Sequence, residues 1–308
     1  MPLGVLFALI SYSIYSCGDA MVKSFTGTAG VFEIGFVSNI FALVPAVFAK
    51  RDGESWRHAL KLAHPWLLHL RGLLALTSSV CITYSFTTIP LAEAYAIAFL
   101  TPLFLTVLSV VVLREKVRLD RWLLVGLSFI GVMIVVRPGF RELHWGHLTA
   151  LISAFASSSS TTILRLVSGR ETRLSIIAMN GLYQIVGNGV LMVTGFALLA
   201  PLEFARLALI GLVGGVAQLL IIAGLKLAPA SHVGPTQYVQ IVWAVIFGSV
   251  FYSEFPDRIG IVGLVVVVLS GVATVFSDGA RARIAGRWSE FRARRGGPKF
   301  SEVEPPEI

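Results

Sequence analysis

A chain of 308 residues that is 56% hydrophobic, only 14% charged and of mean hydropathy +0.80 lies outside the composition of water-soluble domains, which excludes a soluble enzyme. The net charge of +8 and pI near 9.8 do not point to nucleic acid, because basic residues set between apolar stretches record membrane orientation. Cys17 and Cys81 both lie inside apolar stretches; they exclude a disulfide framework and a multi-cysteine zinc pattern, and read as small buried hydrophobes.

The first apolar stretch, residues 2 to 22, has no basic residue in its first twenty positions, so it reads as a transmembrane helix and not as a cleaved signal. A span needs about 20 mostly apolar residues. Further stretches follow at about 30–49, 66–87, 91–113, 122–136, 147–165, 174–198, 206–225, 231–252 and 259–276, which predicts ten spans. The breaks are charged or Gly/Pro punctuation, such as Lys50-Arg51-Asp52-Gly53, Arg114-Glu115-Lys116, Arg137-Pro138-Gly139 and Pro256-Asp257-Arg258. Ten spans put both termini on one side. With the N-terminus inside, the cytoplasmic segments hold nineteen Lys and Arg and the outer segments five, with Arg71 alone inside a span, so both ends are expected in the cytoplasm.

Shifting the chain by 139 positions lays Pro90 on Pro229, Phe99 on Tyr238, Glu115 on Glu254 and Leu70-x-Gly72-Leu73 on Leu209-x-Gly211-Leu212 without a gap. The expected organisation is therefore two five-helix copies, 1–139 and 140–278. Five is odd, so the second copy enters the membrane in the opposite sense. An all-α inverted repeat of this kind is an architecture of alternating-access transporters. In the tail, 279–308, Ile284, Trp288 and Phe291 recur at helical spacing among six arginines and read either as an interfacial amphipathic helix or as a solvated basic tail.

Several blocks resemble the drug/metabolite transporter superfamily and its EamA-like ten-helix members. They are Leu70-Arg71-Gly72, Ile89-Pro90-Leu91-Ala92-Glu93-Ala94, Pro102-Leu103-Phe104, Glu115 and Gly131-Val132-x-x-Val135-Val136-Arg137-Pro138-Gly139, then Leu227-Ala228-Pro229-Ala230-Ser231, Tyr238, Ile241-Val242-Trp243-Ala244 and Glu254. Asp19-x-x-x-Lys23, Glu33, the Arg71 block and the Leu-Ala-Pro-Ala-Ser block are most similar to the branch that includes S-adenosylmethionine uptake carriers. That branch often carries an arginine near the position of Ser38, which this chain lacks.

A charge at the bilayer centre costs between about 3 and 15 kcal/mol, so intramembrane ionisable groups are functional candidates. Asp19 and Lys23, at i and i+4, read either as a self-neutralising pair or as a cavity acid that exchanges Lys23 for a proton or a cationic substrate. Glu33 stands in the first turn of the second span, and Arg71 either snorkels to the headgroups or serves coupling. Pro90 breaks the chain before the fourth helix and leaves Glu93 at that helix's free amides near the outer mouth. Pro229 and His232 are the corresponding residues near the inner mouth. Glu115 and Glu254 close the fourth and ninth helices as caps or gate latches.

Tyr95 and Phe99 share a stripe of the fourth helix, matched by Tyr238 with Trp243 on the ninth, and together they suit an aromatic box. Asn180, Tyr183, Gln184, Gln218, Gln237 and Gln240 add polar groups from helices seven to nine, as a wet cavity would require. The run Ser157 to Thr162 and Gly211-x-x-x-Gly215 read as sites of close helix approach.

No metalloprotease, nucleotide-binding or hydrolase signature is present in the sequence, so movement is expected to be driven by a substrate or ion gradient. The expected function is secondary active transport of a small organic metabolite across a bacterial cytoplasmic (inner) membrane, without cofactor, metal or nucleic acid. The resemblance puts S-adenosylmethionine or a similar cationic amino-metabolite first; export of amino acids or aromatic metabolites is the alternative, and an intramembrane enzyme the rival class. Expected partners are the small-molecule substrate, protons as a candidate coupling ion and the lipid bilayer, with the protein a monomer or homodimer.

Overall fold

The computed structural model describes residues 3–48, 62–115, 117, 119–137, 142–167, 170–171, 173–195, 199–228 and 230–273. Among these, the chain forms ten helical segments: α1 (Leu3–Lys23), α2 (Val31–Phe48), α3 (Pro65–Thr88), α4 (Leu91–Val111), α5 (Leu119–Val136), α6 (Trp145–Val167), α7 (173–192), α8 (Pro201–Leu227), α9 (230–252) and α10 (Arg258–Ala273). Five of them, α1, α3, α4, α6 and α8, are long and apolar enough to cross a membrane, and shorter apolar helices run over Val31–Pro45, Trp122–Val136, Thr236–Tyr252 and Arg258–Ala273.

Proline sets several starts, because its missing N–H falls where a helix has no partner for it: Pro65 opens α3 and Pro201 opens α8. Three helices are irregular. The α4 helix breaks at Phe99–Leu100, α7 contains a π turn at Tyr183–Gly187, and α9 begins as Ala230–Val233, tightens into a 3₁₀ turn at Gly234–Tyr238 and resumes over Val239–Tyr252. Burial is inverted relative to a soluble protein. Large apolar side chains such as Leu123, Ile130, Val190 and Phe251 face outward, whereas Ser11, Ser85, Thr106, Ser158 and Asn188 are buried between helices.

The most extensive helix pairs are α3 with α6 and α1 with α8, followed by α2 with α8. Small residues permit the close approaches. A Cβ on Gly4 would lie 2.6 Å from the Gly224 carbonyl oxygen, and one on Gly215 would lie 2.7 Å from that of Ala42. Gly211 abuts Ser38 in the same way, so the Gly211/Gly215 pair seats α8 on α2. On α6, the Ser158 hydroxyl donates to Thr101 O at 2.8 Å across the break in α4, and Ser153 and Ser78 exchange hydrogen bonds between α6 and α3.

Several turns recur at the 139-residue offset. The α3 helix ends at Thr88 and α8 at Leu227, each followed by an extended residue, Ile89 or Ala228, whose N–H bonds the carbonyl four back. The α4 and α9 helices end in the same hook: Arg114 and Ser253 both adopt left-handed φ, 54° and 55°, and the following Glu115 N–H and Glu254 N–H reach Ser109 O and Gly248 O. Such a reversal satisfies the last free carbonyls of a helix and commonly uses glycine. Here it uses an arginine and a serine.

The helices alternate in direction. One end of the bundle, called here the odd end, carries the connections after α1, α3, α5, α7 and α9; the even end carries the others. The basic tail expected at 279–308 lies outside the described residues.

Candidate functional site

The centre of the bundle holds a column of rings. Phe86 of α3, Tyr95 and Phe99 of α4 and Tyr238 of α9 follow one another at centroid distances of 5.2, 6.3 and 4.8 Å. The last pair is stacked at 25°, so Tyr95, Phe99 and Tyr238 of the expected aromatic box come together, whereas Trp243 stacks on Phe247 outside the column. The Tyr238 ring lies against Gly271 of α10, where a side chain would collide with it.

Around this column the polar groups converge from four helices. Tyr95 Oη donates to Asp19 of α1 and accepts from Gln240 Nε2 of α9 at 3.4 Å. Trp243 Nε1 donates to Ser13 Oγ at 2.8 Å, and Tyr15 Oη donates to Gln218 Oε1 of α8 at 2.7 Å. Gln237 is half-buried in the 3₁₀ turn beside Tyr238. This is an acid, three amides, an indole and three phenols in one region of a lipid-facing bundle, a setting that suits a ligand with both cationic and planar character.

Asp19 and Lys23 do not pair with each other as one reading of the sequence expected. Lys23 sits in the last turn of α1, and its stem carries Nζ past the helix end to Glu254 Oε1 and Ile89 O, each 2.6 Å away. Asp19, one turn deeper, is left to Tyr95.

Lys23 belongs to a cluster that ties the odd end together. Glu254 Oε2 accepts from the Leu91 N–H at 3.1 Å, so this one carboxylate holds both the lysine and the free N-terminus of α4. Tyr252 places its ring under Lys23, 5.6 Å from the ammonium, and donates to Ala20 O at 2.5 Å. Thr26 Oγ1 donates to Thr87 O at 3.0 Å. Arg206 donates to Ser24 Oγ, and Arg137 pairs with Asp257, each at 2.5 Å. Glu93 pairs with His147 Nε2 at 3.0 Å, with both side chains largely buried. Two clefts flank Glu254, one of about 410 Å³ reaching Lys23 and Thr87 and one of about 210 Å³ reaching Glu93 and Asp257.

The even end carries a different set among the described residues. Glu115 lies 3.9 Å from Arg165, and both side chains are nearly half exposed. His64 donates its N–H to Glu171 Oε1 at 2.5 Å and accepts from Arg170 at 3.5 Å. His232 is half-buried in the short helix that opens α9, and Pro229 lies outside the described residues.

The α7 groups form a separate set. Tyr183 Oη meets His69 Nδ1 at 2.9 Å and Gln184 Nε2 donates to Ala75 O at 3.1 Å, both on α3; Asn180 is half-buried one turn earlier. Arg71 turns its guanidinium to Ile176 O of α7, at 3.5 Å. Glu33 is 2% exposed and accepts from the Gly30 N–H at 3.4 Å at the start of its own helix.

Sequence reasoning missed His147, Arg137, Asp257 and Tyr252 as partners. Each sits within a turn of a helix end, and the residues that answer them are 54 to 232 positions away.

The EamA-like transporter family model matches twice, over residues 2–137 and 144–276. An S-adenosylmethionine uptake transporter of Rickettsia prowazekii is 24% identical over 276 residues, covering 89% of this chain and 93% of its own. The Pseudopaline exporter CntI of Pseudomonas aeruginosa is 29% identical over 278 residues, covering 88% and 95%, and human Solute carrier family 35 member G1 is 27% identical over 288 residues, covering 88% and 78%. A crystal structure matches with a TM-score of 0.60 at 17% identity over 91% of this chain and 98% of its own, which shows the fold alone. With two family matches that together cover most of its length, and apolar helices long enough to cross a bilayer, this multi-pass membrane protein belongs to the EamA-like transporter family.

Proposed function

We propose that the protein is a secondary active transporter of a small cationic amino-metabolite, S-adenosylmethionine first, working by alternating access in a bacterial cytoplasmic membrane. In this reading ten spans form two inverted five-helix copies, 1–139 and 140–278, with both termini cytoplasmic and the odd end facing outward. The recurring turns at the 139-residue offset and the double family match support the repeat. The charge asymmetry of the connections supports the orientation.

The observation that carries the reading is the unequal state of two matching acids. Glu254 is held by Lys23 at 2.6 Å, whereas Glu115, its counterpart, stands 3.9 Å from Arg165 in an exposed pair. A transporter needs its two ends to be alternately tight and loose, and this conformation has the outer end tight. Substrate enters the column from the loose side or, after the outer end opens, from outside. It parts Phe99 from Tyr238 and replaces Tyr95 as the partner of Asp19.

Export is the second reading. It is favoured by the similarity to the Pseudopaline exporter CntI, and the same geometry serves it with the gradient reversed.

The deciding experiment is uptake of radiolabelled S-adenosylmethionine, with amino acids and aromatic metabolites in parallel, by proteoliposomes with and without a pH gradient. Saturable, protein-dependent accumulation of S-adenosylmethionine is the expected result. Accumulation of another class alone would replace the substrate, and no accumulation of any panel member would sink the cationic-metabolite reading.

A further inference from the structure

Among the described residues, four pairs tie side chain to side chain across the odd end: Lys23–Glu254, Arg137–Asp257, Ser24–Arg206 and Glu93–His147. Each joins a residue of 1–139 to one of 140–278. Three of them use lysine, arginine, carboxylate or hydroxyl side chains. Only one uses histidine, the side chain type that changes charge in the physiological range.

The His147 ring is held at both of its nitrogens. Its Nδ1 accepts from the His144 backbone N–H at 3.0 Å, which an N–H donor can do only with a nitrogen that carries no proton. The hydrogen of the neutral ring is therefore on Nε2, and it is donated to Glu93 Oε2 at 3.0 Å. The His144 carbonyl oxygen lies 3.3 Å from the same Nδ1. A proton added there turns to that oxygen and gives up the His144 N–H, an exchange local to the start of α6 that the open and closed states share. The side chains are only 11% and 13% exposed; the cleft of about 210 Å³ reaches Glu93, and Nδ1 faces the exposed His144 connection.

We propose that the Glu93–His147 pair is a proton-binding site that couples outer-side pH to closure of the odd end. The inference rests on the reading of that end as the closed outer gate. One proton passes from outer water to His147 Nδ1, and the hydrogen bond from the neutral imidazole to the Glu93 carboxylate becomes an ion pair between α4 and α6. Opening parts the two groups and returns both to water, so the closed state gains from the proton and the open state does not. Lower outer pH then favours closure, and higher pH favours opening.

Other titratable and charged groups among the described residues face the pair. His144 stacks on His147 at 6.1 Å and Glu142 is exposed on the same connection. Glu254 and Asp257 from the α9–α10 connection line the cleft with Glu93, but each holds its own cation, Lys23 from α1 and Arg137 from the end of α5. On the α3 side, uncharged Thr88 abuts Gly146.

The test uses the full-length protein in liposomes, with Cys17 and Cys81 replaced by serine and nitroxide labels at Thr28 and Phe255, one in each copy. Electron–electron distances are measured at about pH 5 and about pH 8. The ratio of long to short distances in the parent should rise by about fivefold or more with pH, the lower end of ordinary coupling. H147Q keeps an N–H donor but never charges, so it should show the high-pH ratio at both values. H147K is always charged and should show the low-pH ratio at both, and E93Q should be insensitive to pH. A purely structural role for the histidine does not yield opposite plateaus. A parent that ignores pH, or an H147Q that follows pH as the parent does, overturns the proton site. K23M is the separate arm: it should lengthen the distance at both pH values, and failure to do so overturns the closed-gate reading instead.

Discussion

Glu254 and Glu115 stand at the same place in the same left-handed turn, yet Glu254 is clamped between Lys23 and the α4 N-terminus while Glu115 is loosely held beside Arg165. In the proposed alternating-access reading, matching turns with unequal side-chain engagement mark one state of two. The difference lies in what each end offers. At the odd end a buried lysine arrives with Ile89 O and the Tyr252 ring around it; at the even end an exposed arginine arrives from the last turn of α6.

Breaking the clamp should therefore change conformation before it changes stability. K23M and E254Q are each expected to leave expression intact and to slow uptake about tenfold or more by depopulating the closed state. A cysteine at Thr87, which lines the cleft beside Lys23, should become faster to label from outside in both variants. Unchanged labelling with unchanged uptake would remove Lys23 and Glu254 from the gate.

The Asp19–Tyr95 contact separates substrate binding from folding. D19N keeps a group of the same shape to accept the Tyr95 hydrogen, and Y95F keeps the ring, so both proteins should fold. Each removes part of a charge-assisted hydrogen bond in a buried site, worth about 1.5–3 kcal/mol. D19N should cut uptake of a cationic substrate about tenfold or more, and Y95F should weaken it less. Equal, wild-type rates in both variants would empty this site and move attention to the α3–α7 set around Gln184.

Much of the scaffold was legible because membrane helices are written as apolar runs between charged or Gly/Pro punctuation, and the 139-residue offset anticipated the matching ends of α3 and α8. The aromatic column was also readable, since Tyr95 and Phe99 share a helical stripe and the repeat maps Phe99 onto Tyr238. Local spacing misled at Asp19 and Lys23. An i, i+4 pair is worth only about 0.2–0.5 kcal/mol, which two acceptors at 2.6 Å outweigh once Lys23 reaches the helix end. The Glu93–His147 and Arg137–Asp257 ties were invisible for another reason: which helix ends face one another depends on packing in three dimensions, and no one-dimensional pattern encodes it.

Helix approach at Gly211 and Gly215 makes a stability prediction independent of transport. A methyl at either position meets backbone oxygen of α2, Ser38 O or Ala42 O, which cannot swing away as a side chain end can. G211A and G215A should each destabilise by about 1–3 kcal/mol, seen as earlier thermal unfolding in detergent. G214A, whose added methyl meets open space, is the matched control and should be neutral.

The aromatic pair gives the most direct test of where substrate sits. Phe99 and Tyr238 are stacked on each other at 4.8 Å, so a planar or cationic ligand must part them and regain two ring faces in exchange for one stack. Y238F keeps the stack and removes only the hydroxyl, so affinity should change little. Y238A and F99A each leave a single ring and should weaken apparent affinity about fivefold to thirtyfold, the range expected when a desolvated cation loses one aromatic face. F251A is the control, because Phe251 lies on the outward surface of α9, 68% exposed, and stacks on no residue of the column. Substrate-induced quenching of the Trp243 emission reads the same event, since the indole sits on the next turn and donates to Ser13. Affinity lost equally in F251A and Y238A would mean that ring volume supports the bundle in general, and the substrate would then have to bind away from the column.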